Sequence, residues 1–346
     1  MTIVSFLIRF CNTLLQKLRL LVLVFILLST TAHAQIFLEE ENVLAKVNFT
    51  NIIPKELIST RSVVLYQNNF TKKELEETQT FFQQTGIDAV AYFDVGRVFA
   101  GHDTRKPYAA YFLARGIKFL IFLQKNEKGY QFVSCPFSGN KEFVDNKNPS
   151  WKQQDFSLTE LLKTIYRFAV SNLKKQNFLI NALPETELGI KIFKGRVEEK
   201  FSYDVKTFKT AIPRFGNGQD DAELEAYLKE NFPVKYELVE PDPDEVALAN
   251  KGFRSILRFV HARGVVAKEL LGYDISQIAR SLPSAVVVNN EVQIKTIPAN
   301  QSVYKFYFRN LEYGDIFLGT KWDADITWQE ALRNHLQAMN LDQKAK

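Results

Sequence analysis

Residues 71–93 have the sequence TKKELEETQTFFQQTGIDAVAYF. The first part is polar and contains apolar residues at helical spacing, and it leads into an unbroken apolar block. Thr71 and Glu74 form a capping box, which predicts the start of a helix, and Gly86 suits the exit of that helix. The apolar block, AVAYF (89–93), predicts a strand that is covered on both faces. A helix that leads into a buried strand is typical of an α/β fold with parallel strands.

The neighbouring segments extend this unit in both directions. A strand is predicted at 62–66, before the helix, and a second helix at 108–115, after the loop DVGRVFAGHDTRKP. Three more elements are predicted from apolar periodicity: a strand at 118–123, its hairpin partner at 130–135 and an amphipathic helix at 158–173. The order β-α-β-α-β-β-α implies a mostly parallel sheet with right-handed crossovers and one antiparallel strand.

The second half of the sequence repeats these signals in the same order. The matched segments are KELE (73–76) with AELE (222–225), Thr71 with Asp220 as caps, ARGI (114–117) with ARGV (262–265) as helix exits, KFLIFLQKNEKGYQFV (118–133) with YKFYFRNLEYGDIFLG (304–319), and the Ser157 and Thr327 capping boxes. This agreement predicts an α/β protein with two tandem, duplicated β-α-β-α-β-β-α domains. The alternative is that unrelated α/β units share such caps and glycines by chance.

The predicted boundaries are a leader at 1–34, a first α/β domain at 35–178 and a second at 179–346. The second domain carries an insertion near 266–302, in which AVVVNNEVQI predicts a hairpin that turns at Asn289-Asn290. Two further expectations concern this domain. EVALANKGFRSILRFVHARG (245–264) predicts one long helix, and Pro213 predicts that the first strand lies at a sheet edge.

The N-terminal segment has the pattern of a secretory signal peptide. Its features are three basic residues, an apolar run and two small residues: Arg9, Lys17, Arg19, LLVLVFILL (20–28), Ala32 and Ala34. This run is far shorter than the roughly 20 residues that span a bilayer. We therefore expect cleavage before Gln35, export to a bacterial periplasm or the medium, and no stable membrane anchor. The alternative is an uncleaved anchor.

Cysteine content and charge narrow the class of protein. Cys11 lies in the predicted leader, so Cys135 is the only cysteine that remains, and the fold has to be held by its core. The apolar context of Cys135 predicts a buried side chain rather than a reactive thiol. Three positive charges of the formal +5 belong to the leader. The remaining charge gives no reason to expect a nucleic-acid partner.

The loop after AVAYF is the predicted ligand site. Ligands of open parallel sheets bind beyond the carboxyl ends of the strands, and a helix N-terminus favours anions. Besides Lys106, this loop carries the predicted contact residues, which are Asp94, Arg97, His102, Asp103 and Arg105. We expect them to contact a small anionic ligand or an envelope protein. The alternative is that Asp103 or Thr104 caps the next helix and the basic side chains are solvated.

Other motifs are weaker. EPDPDEV (240–246) clusters carboxylates that could hold a divalent cation, although helix capping explains them more simply. GNG (216–218) lacks the lysine of a phosphate-binding loop, and WDADITW (322–328) predicts helix capping. Neither a zinc-protease histidine motif nor a serine nucleophile elbow occurs. We therefore expect no metal and no cofactor.

These observations favour a non-catalytic role, in which an exported protein binds a ligand or partner in the cell envelope. The alternative is an exported hydrolase or transferase that acts on an anionic or envelope-derived substrate. There His102 would be the acid–base group and Asp94 or Asp103 would orient it. A third class is an interaction protein with no pocket. The first two classes differ in the expected geometry. Convergence of His102, Asp94 and Arg97 in one concave site favours catalysis, whereas a His102 side chain that points into solvent away from any pocket excludes it.

Overall fold

The computed structural model describes residues 43–346 except 173, 175–176, 178–179, 187–188, 277–279, 289–290 and 345–346. The predicted leader, and the Asn289-Asn290 turn, lie outside the described residues. Residues Lys46–Lys346 form one compact unit that contains two six-stranded sheets. We call residues 49–172 the first half and residues 197–344 the second half.

The first sheet is mixed and mostly parallel, as the sequence predicts. Its strands are β1 (Phe49–Thr50), β2 (Arg61–Tyr66), β3 (Asp88–Asp94), β4 (Ile117–Asn126), β5 (Gly129–Pro136) and β6 (Ser150–Asp155). They lie in the order β1-β6-β5-β4-β2-β3. β2 is parallel to β3 and β4, β5 is antiparallel to β4 and β6, and β1 is parallel to β6.

The helices of the first half follow from local signals. They are α1 (Lys72–Thr85), α2 (Val95–Val98), α3 (His102–Ala114) and α4 (Leu158–Asn172). The predicted capping box begins α1, since the Thr71 amide donates to Glu74 over 2.7 Å. Gly86 ends α1 with a φ of 99°, which favours glycine. α1 and α4 pack together over the sheet, and Phe82 of α1 meets Phe132 of β5 edge to face.

The second sheet has the same strand order and the same strand directions as the first. Its strands are β7 (Val197–Glu198), β8 (Thr210–Pro213), β9 (Tyr236–Val239), β10 (Ser255–Arg263), β13 (Ser302–Asn310) and β14 (Ile316–Phe317). A separate hairpin, β11 (Ser281–Val288) and β12 (Glu291–Pro298), lies where the sequence predicts one. The sheet order is β7-β14-β13-β10-β8-β9. β8 is parallel to β9 and β10, β13 is antiparallel to β10 and β14, and β7 is parallel to β14.

The helices of the second half are α5 (Tyr203–Thr207), α6 (Gly218–Asn231), α7 (Glu245–Asn250), α8 (Gly264–Leu270) and α9 (Trp328–Lys344). α6 and α9 cover one face of the sheet as α1 and α4 do in the first half. Asn217 caps α6, because its side chain accepts from the Asp220 amide over 2.8 Å. The prediction that Asp220 is the cap is therefore wrong by one helical turn.

The prediction of one long helix at 245–264 is wrong. α7 ends at Asn250, Gly252 adopts a φ of 86°, and the following apolar run is strand β10. β10 lies between β8 and β13, so pairing on both edges overrides the helical spacing of its apolar residues. Gly116 follows α3, whereas Gly264 begins α8, and the two ARG segments are therefore not equivalent.

Two more correspondences are corrected by the strand order. β4 corresponds to β10 and β5 to β13, so the match of 118–133 with 304–319 joins different strands. The cause is the insertion of α8 and the β11–β12 hairpin between β10 and β13, where the first half has a tight turn. Pro213 does not mark an edge, because β8 lies between β9 and β10. It is the last residue of the strand.

Glu74 supports a prediction about acid stability. Its carboxylate accepts from Thr71, from Lys125 over 2.8 Å and from Tyr130 over 2.6 Å. Burial would raise the pKa of Glu74, but these bonds lower it to about 2. We expect Glu74→Gln to lower the free energy of unfolding by about 2 kcal/mol at pH 7. The difference should be complete above the ordinary glutamate pKa and disappear as the pH falls through about 2.

Urea unfolding of both proteins from pH 7 to pH 2 measures this difference. Glu76→Gln is the matched control, because Glu76 is exposed on the same helix, and it should change stability by less than about 0.5 kcal/mol. Equal effects of the two substitutions at pH 7 would contradict the proposed role of Glu74.

Candidate functional site

The segment 94–103, which begins at the last residue of β3, packs against β10 of the second half. The His261 amide donates to the Ala100 carbonyl over 2.6 Å, and Ala100 is buried in a core cluster with Val260. A Cβ atom at Gly101 would lie 2.6 Å from the carbonyl oxygen of Phe259. Glycine is needed at this position because the two backbones approach so closely.

Asp94 and Arg97 each pair with a residue of the second half. The Asp94 carboxylate accepts from the Gly96 amide over 2.9 Å, which caps α2, and it also pairs with Arg263 at the end of β10. The Arg97 guanidinium donates two hydrogen bonds to Glu269 of α8, over 2.7 and 2.5 Å. This bidentate pair is the main reason that the pKa of Arg97 is raised.

His102 lies between two carboxylates at the start of α3. Its Nε2 atom is 2.6 Å from Oδ1 of Asp242, in the second half, and its Nδ1 atom is 3.4 Å from Oδ1 of Asp103. Asp242 also pairs with Lys141 of the first half. Burial would raise the pKa of Asp242, but the bonds from Lys141 and His102 lower it to about 2. His102 and Lys141 therefore hold one ionised carboxylate between them.

Asp103 is buried and is neutralised by residues of the second half. Its carboxylate accepts from the Tyr307 hydroxyl over 2.7 Å and pairs with Arg309 over 2.9 Å. Burial would raise the pKa of Asp103, but the His102 bond and the charges of Arg309 and Arg258 keep it low. Arg309 and Arg258 both reach Glu245, so the charges form a continuous network.

The capping alternative for this segment is wrong. The N-cap of α3 is Gly101, for which no side-chain capping bond is found among the described residues, and Asp103 faces Tyr307 and Arg309 instead. Thr104 is buried, and its hydroxyl oxygen lies 2.8 Å from the carbonyl oxygens of both Val98 and Gly101, which share its one donor proton. It therefore fixes the turn that precedes α3. Arg105 lies half-buried on α3, next to Thr104.

We call this set of interactions the charged seam. It consists of the contacts Asp94–Arg263, Arg97–Glu269, His102–Asp242 and Asp103–Arg309. In the part of the chain that the structure describes, His102, Asp94 and Arg97 hydrogen-bond to three different residues of the second half and not to one another. The seam brings four of the five predicted site residues into one region, all but Arg105, and the charges of these four already have protein partners.

A metal ion would compete with the seam. Ligand atoms of His102, Asp103 and Glu245 lie within 4.8 Å of one another. Arg309 contacts both carboxylates and supplies the positive charge that a cation would otherwise provide. In EPDPDEV, Asp244 caps α7 over 3.0 and 3.2 Å, as expected of capping. Its neighbours Asp242 and Glu245 belong to the charged network.

A second charged group, which the sequence motifs do not predict, lies within the second half. Lys305, Asp323 and His335 are all fully buried. The Lys305 ammonium is 2.7 Å from Asp323 and donates to the carbonyls of Phe306 and Leu318 over 2.9 and 2.5 Å. His335 Nδ1 lies 2.9 Å from the other oxygen of Asp323. A lysine within the apolar strand VYKFYF was the signal in the sequence.

Asp323 therefore does not have the capping role that WDADITW predicts. Burial would raise the pKa of Asp323, but the charges of Lys305 and His335 lower it, so the carboxylate stays ionised. Burial lowers the pKa values of Lys305 and His335. Asp325 accepts from the Ile326 amide over 2.7 Å and pairs with Lys295 over 2.6 Å.

No protein-family model matches this chain, and a search of curated proteins finds no relative. Among the described residues, every helix is too short or too polar to cross a membrane.

Lys305 supports a prediction about stability. Replacement by methionine leaves the Asp323 carboxylate buried without its ammonium partner, so we expect Lys305→Met to cost about 3–5 kcal/mol of unfolding free energy. The double variant Lys305→Met/Asp323→Asn should recover part of this loss, because the unpaired charge is removed. Chemical denaturation measures all three proteins. Lys321→Met, at an exposed position, is the control. A loss of under about 1 kcal/mol in the single variant would contradict the prediction.

Proposed function

We propose that this chain is an exported, non-catalytic binding protein of the cell envelope. The observation that carries the proposal is the charged seam. Ligands of α/β proteins bind beyond the carboxyl ends of the parallel strands. At this place the four charged side chains of the first half all pair with side chains of the second half, namely those of Asp94, Arg97, His102 and Asp103. A catalytic group has to reach its substrate, whereas these groups hold two halves together. The assembled surface, and not the segment alone, would then bind the partner.

We also propose that the two halves arose by duplication. The support is that the six strands have the same order and the same directions in both sheets. The helices also correspond, because α1 follows β2 as α6 follows β8, and α4 follows β6 as α9 follows β14. Both of these last helices begin with a hydroxyl cap, Ser157 for α4 and Thr327 for α9. Chance agreement of one cap is common, but agreement of a whole mixed topology is not.

The hydrolase or transferase alternative keeps one favourable observation. His102 contacts two carboxylates, and a histidine oriented by a carboxylate is a common acid–base arrangement. Asp94, which the alternative also invoked, pairs with Arg263. The alternative therefore depends on His102, Asp103 and Asp242, and substitution of His102 distinguishes it from the binding role.

Export is tested by expressing the full chain, with a C-terminal tag, in a Gram-negative host. We expect the protein in the periplasmic fraction with Gln35 as its N-terminus, determined by intact mass. Phe25→Asp interrupts the apolar run, so this variant should remain in the cytoplasm at full length. Periplasmic protein that keeps residues 1–34 would contradict cleavage, and cytoplasmic wild-type protein would contradict export.

His102→Ala tests the role of the seam. We expect the substitution to lower thermal stability, because Asp242 and Asp103 each lose a partner. We expect no hydrolase or transferase activity that depends on His102, when both proteins are assayed on phosphorylated, glycosylated and peptidoglycan-derived substrates. An activity that His102→Ala abolishes in a folded protein would establish the enzymatic alternative. Lys106→Ala, an exposed position on the same helix, is the control.

The bound partner is sought by thermal unfolding with a panel of anionic metabolites, sugars and envelope fragments. A ligand at a hundred times its Kd stabilises the native state by about 2.7 kcal/mol. A shift with one class identifies a small ligand. A flat panel favours an envelope protein as the partner, to be recovered by cross-linking in the periplasm.

A further inference from the structure

The β11–β12 hairpin has one covered edge and one open edge. On the β11 side, the Ala285 amide donates to the Trp322 carbonyl over 2.7 Å, and the Ser284 hydroxyl donates to the Ala324 carbonyl over 2.5 Å. β12 pairs with β11, and no other strand of the described residues pairs with it. The outer edge of β12 therefore presents backbone donors and acceptors that another strand could pair with.

One face of β12 is apolar and exposed. Val292 and Ile294 lie on this face, opposite Val287 and Ala285 of β11, and their exposed fractions are 42% and 65%. The other face is anchored to the rest of the second half, since Lys295 pairs with Asp325 over 2.6 Å. The open edge therefore borders a small apolar surface at which further burial would be favourable.

The sequence of this edge is complementary to itself. Glu291-Val-Gln-Ile-Lys295 reads as acid, apolar, polar, apolar, base. In an antiparallel pair centred on Gln293, Glu291 lies opposite Lys295 of the second copy, and Val292 lies opposite Ile294 of the second copy. Both charge pairs and both apolar pairs are then satisfied, because each contact occurs twice about the symmetry axis.

The register of this pair is restricted by the alternation of side chains. When the centre is a residue, Val292 and Ile294 of both copies lie on one face, and the apolar surface continues across the interface. When the centre lies between two residues, the apolar face of one copy continues into the polar face of the other. Centring on Gln293 also places residues of opposite charge, Glu291 and Lys295, across from each other. Lys295 keeps its contact with Asp325 there, and it is only partly buried.

We propose that two copies of this chain associate through β12, antiparallel about Gln293, to form a four-stranded sheet from two hairpins. The contact uses the same surface of both copies, so it closes as a dimer and does not propagate into a fibre. It requires neither the charged seam nor the binding function proposed above, and it is tested independently of them.

A cysteine at the symmetry axis tests the register. Opposite residues of antiparallel strands have Cα atoms about 4.5–5.5 Å apart, within the range of a disulfide. In a Cys11→Ser background, Gln293→Cys should form a disulfide-linked dimer under mild oxidation, since Cys135 is buried. Thr296→Cys is the control on the same exposed strand. Its two copies would lie about 20 Å apart and should not cross-link.

Sedimentation equilibrium tests the association itself. We expect the wild-type protein to dimerise reversibly, and Ile294→Lys to weaken dimerisation by at least about tenfold, because it buries two unpaired charges. Val246→Lys replaces an equally exposed apolar residue on α7 and should leave the dimer unchanged. Circular dichroism checks that each variant is folded.

A wild-type protein that stays monomeric at every concentration would overturn the proposal. So would a dimer that Ile294→Lys and Val246→Lys affect equally, or cross-linking of Thr296→Cys as efficiently as Gln293→Cys.

Discussion

The burial of the Asp103 carboxylate is the constraint on which the arrangement of this molecule depends. Asp103 belongs to the first half, and its buried charge is met by Tyr307 and Arg309 of the second. A buried carboxylate without a partner is strongly destabilising, so the two halves cannot separate unless Asp103 and Arg309 are both hydrated again. The close backbone contact at Gly101 brings the two halves near enough for these side chains to meet. The two sheets therefore belong to one compact unit.

Much of the first half could be predicted because its signals are local. The capping box of α1, the left-handed Gly86 and the apolar block of β3 each act within a few residues. β6 was missed because WKQQD carries little apolar character, and its pairing with β5 decides its conformation. The prediction of a long helix at 245–264 was wrong because strand pairing, which the local sequence does not show, decides the conformation there as well. The apolar spacing of β10 suits a helix, and only its partners β8 and β13, distant in the sequence, make it a strand.

The sequence predicts which charged residues form the candidate site but not which residues pair with them. The charges after β3 could be located, since ligands and charges gather beyond the carboxyl ends of parallel strands. The partner of each charge could not be predicted, because the partner of Arg97 lies 172 residues away in the sequence and that of Asp94 lies 169 residues away. Lys305 shows a related limit. A lysine among aromatic residues indicates an unusual environment, but the sequence does not reveal that Asp323 and His335 complete it.

The seam also explains an asymmetry between the two halves. The segment after β3 and the segment after β9 occupy equivalent places in their sheets, and they meet at the contact between His102 and Asp242. If the halves arose by duplication, two identical segments of the same net charge would have faced each other there. In the present sequence the segment after β3 carries both signs, with Asp94 and Asp103 among more numerous basic residues, whereas EPDPDEV carries only acids. Like charges in contact are destabilising, so divergence to opposite charge would convert a repulsive contact into an attractive one. Each half would then be specific for the other, because the copies could no longer exchange.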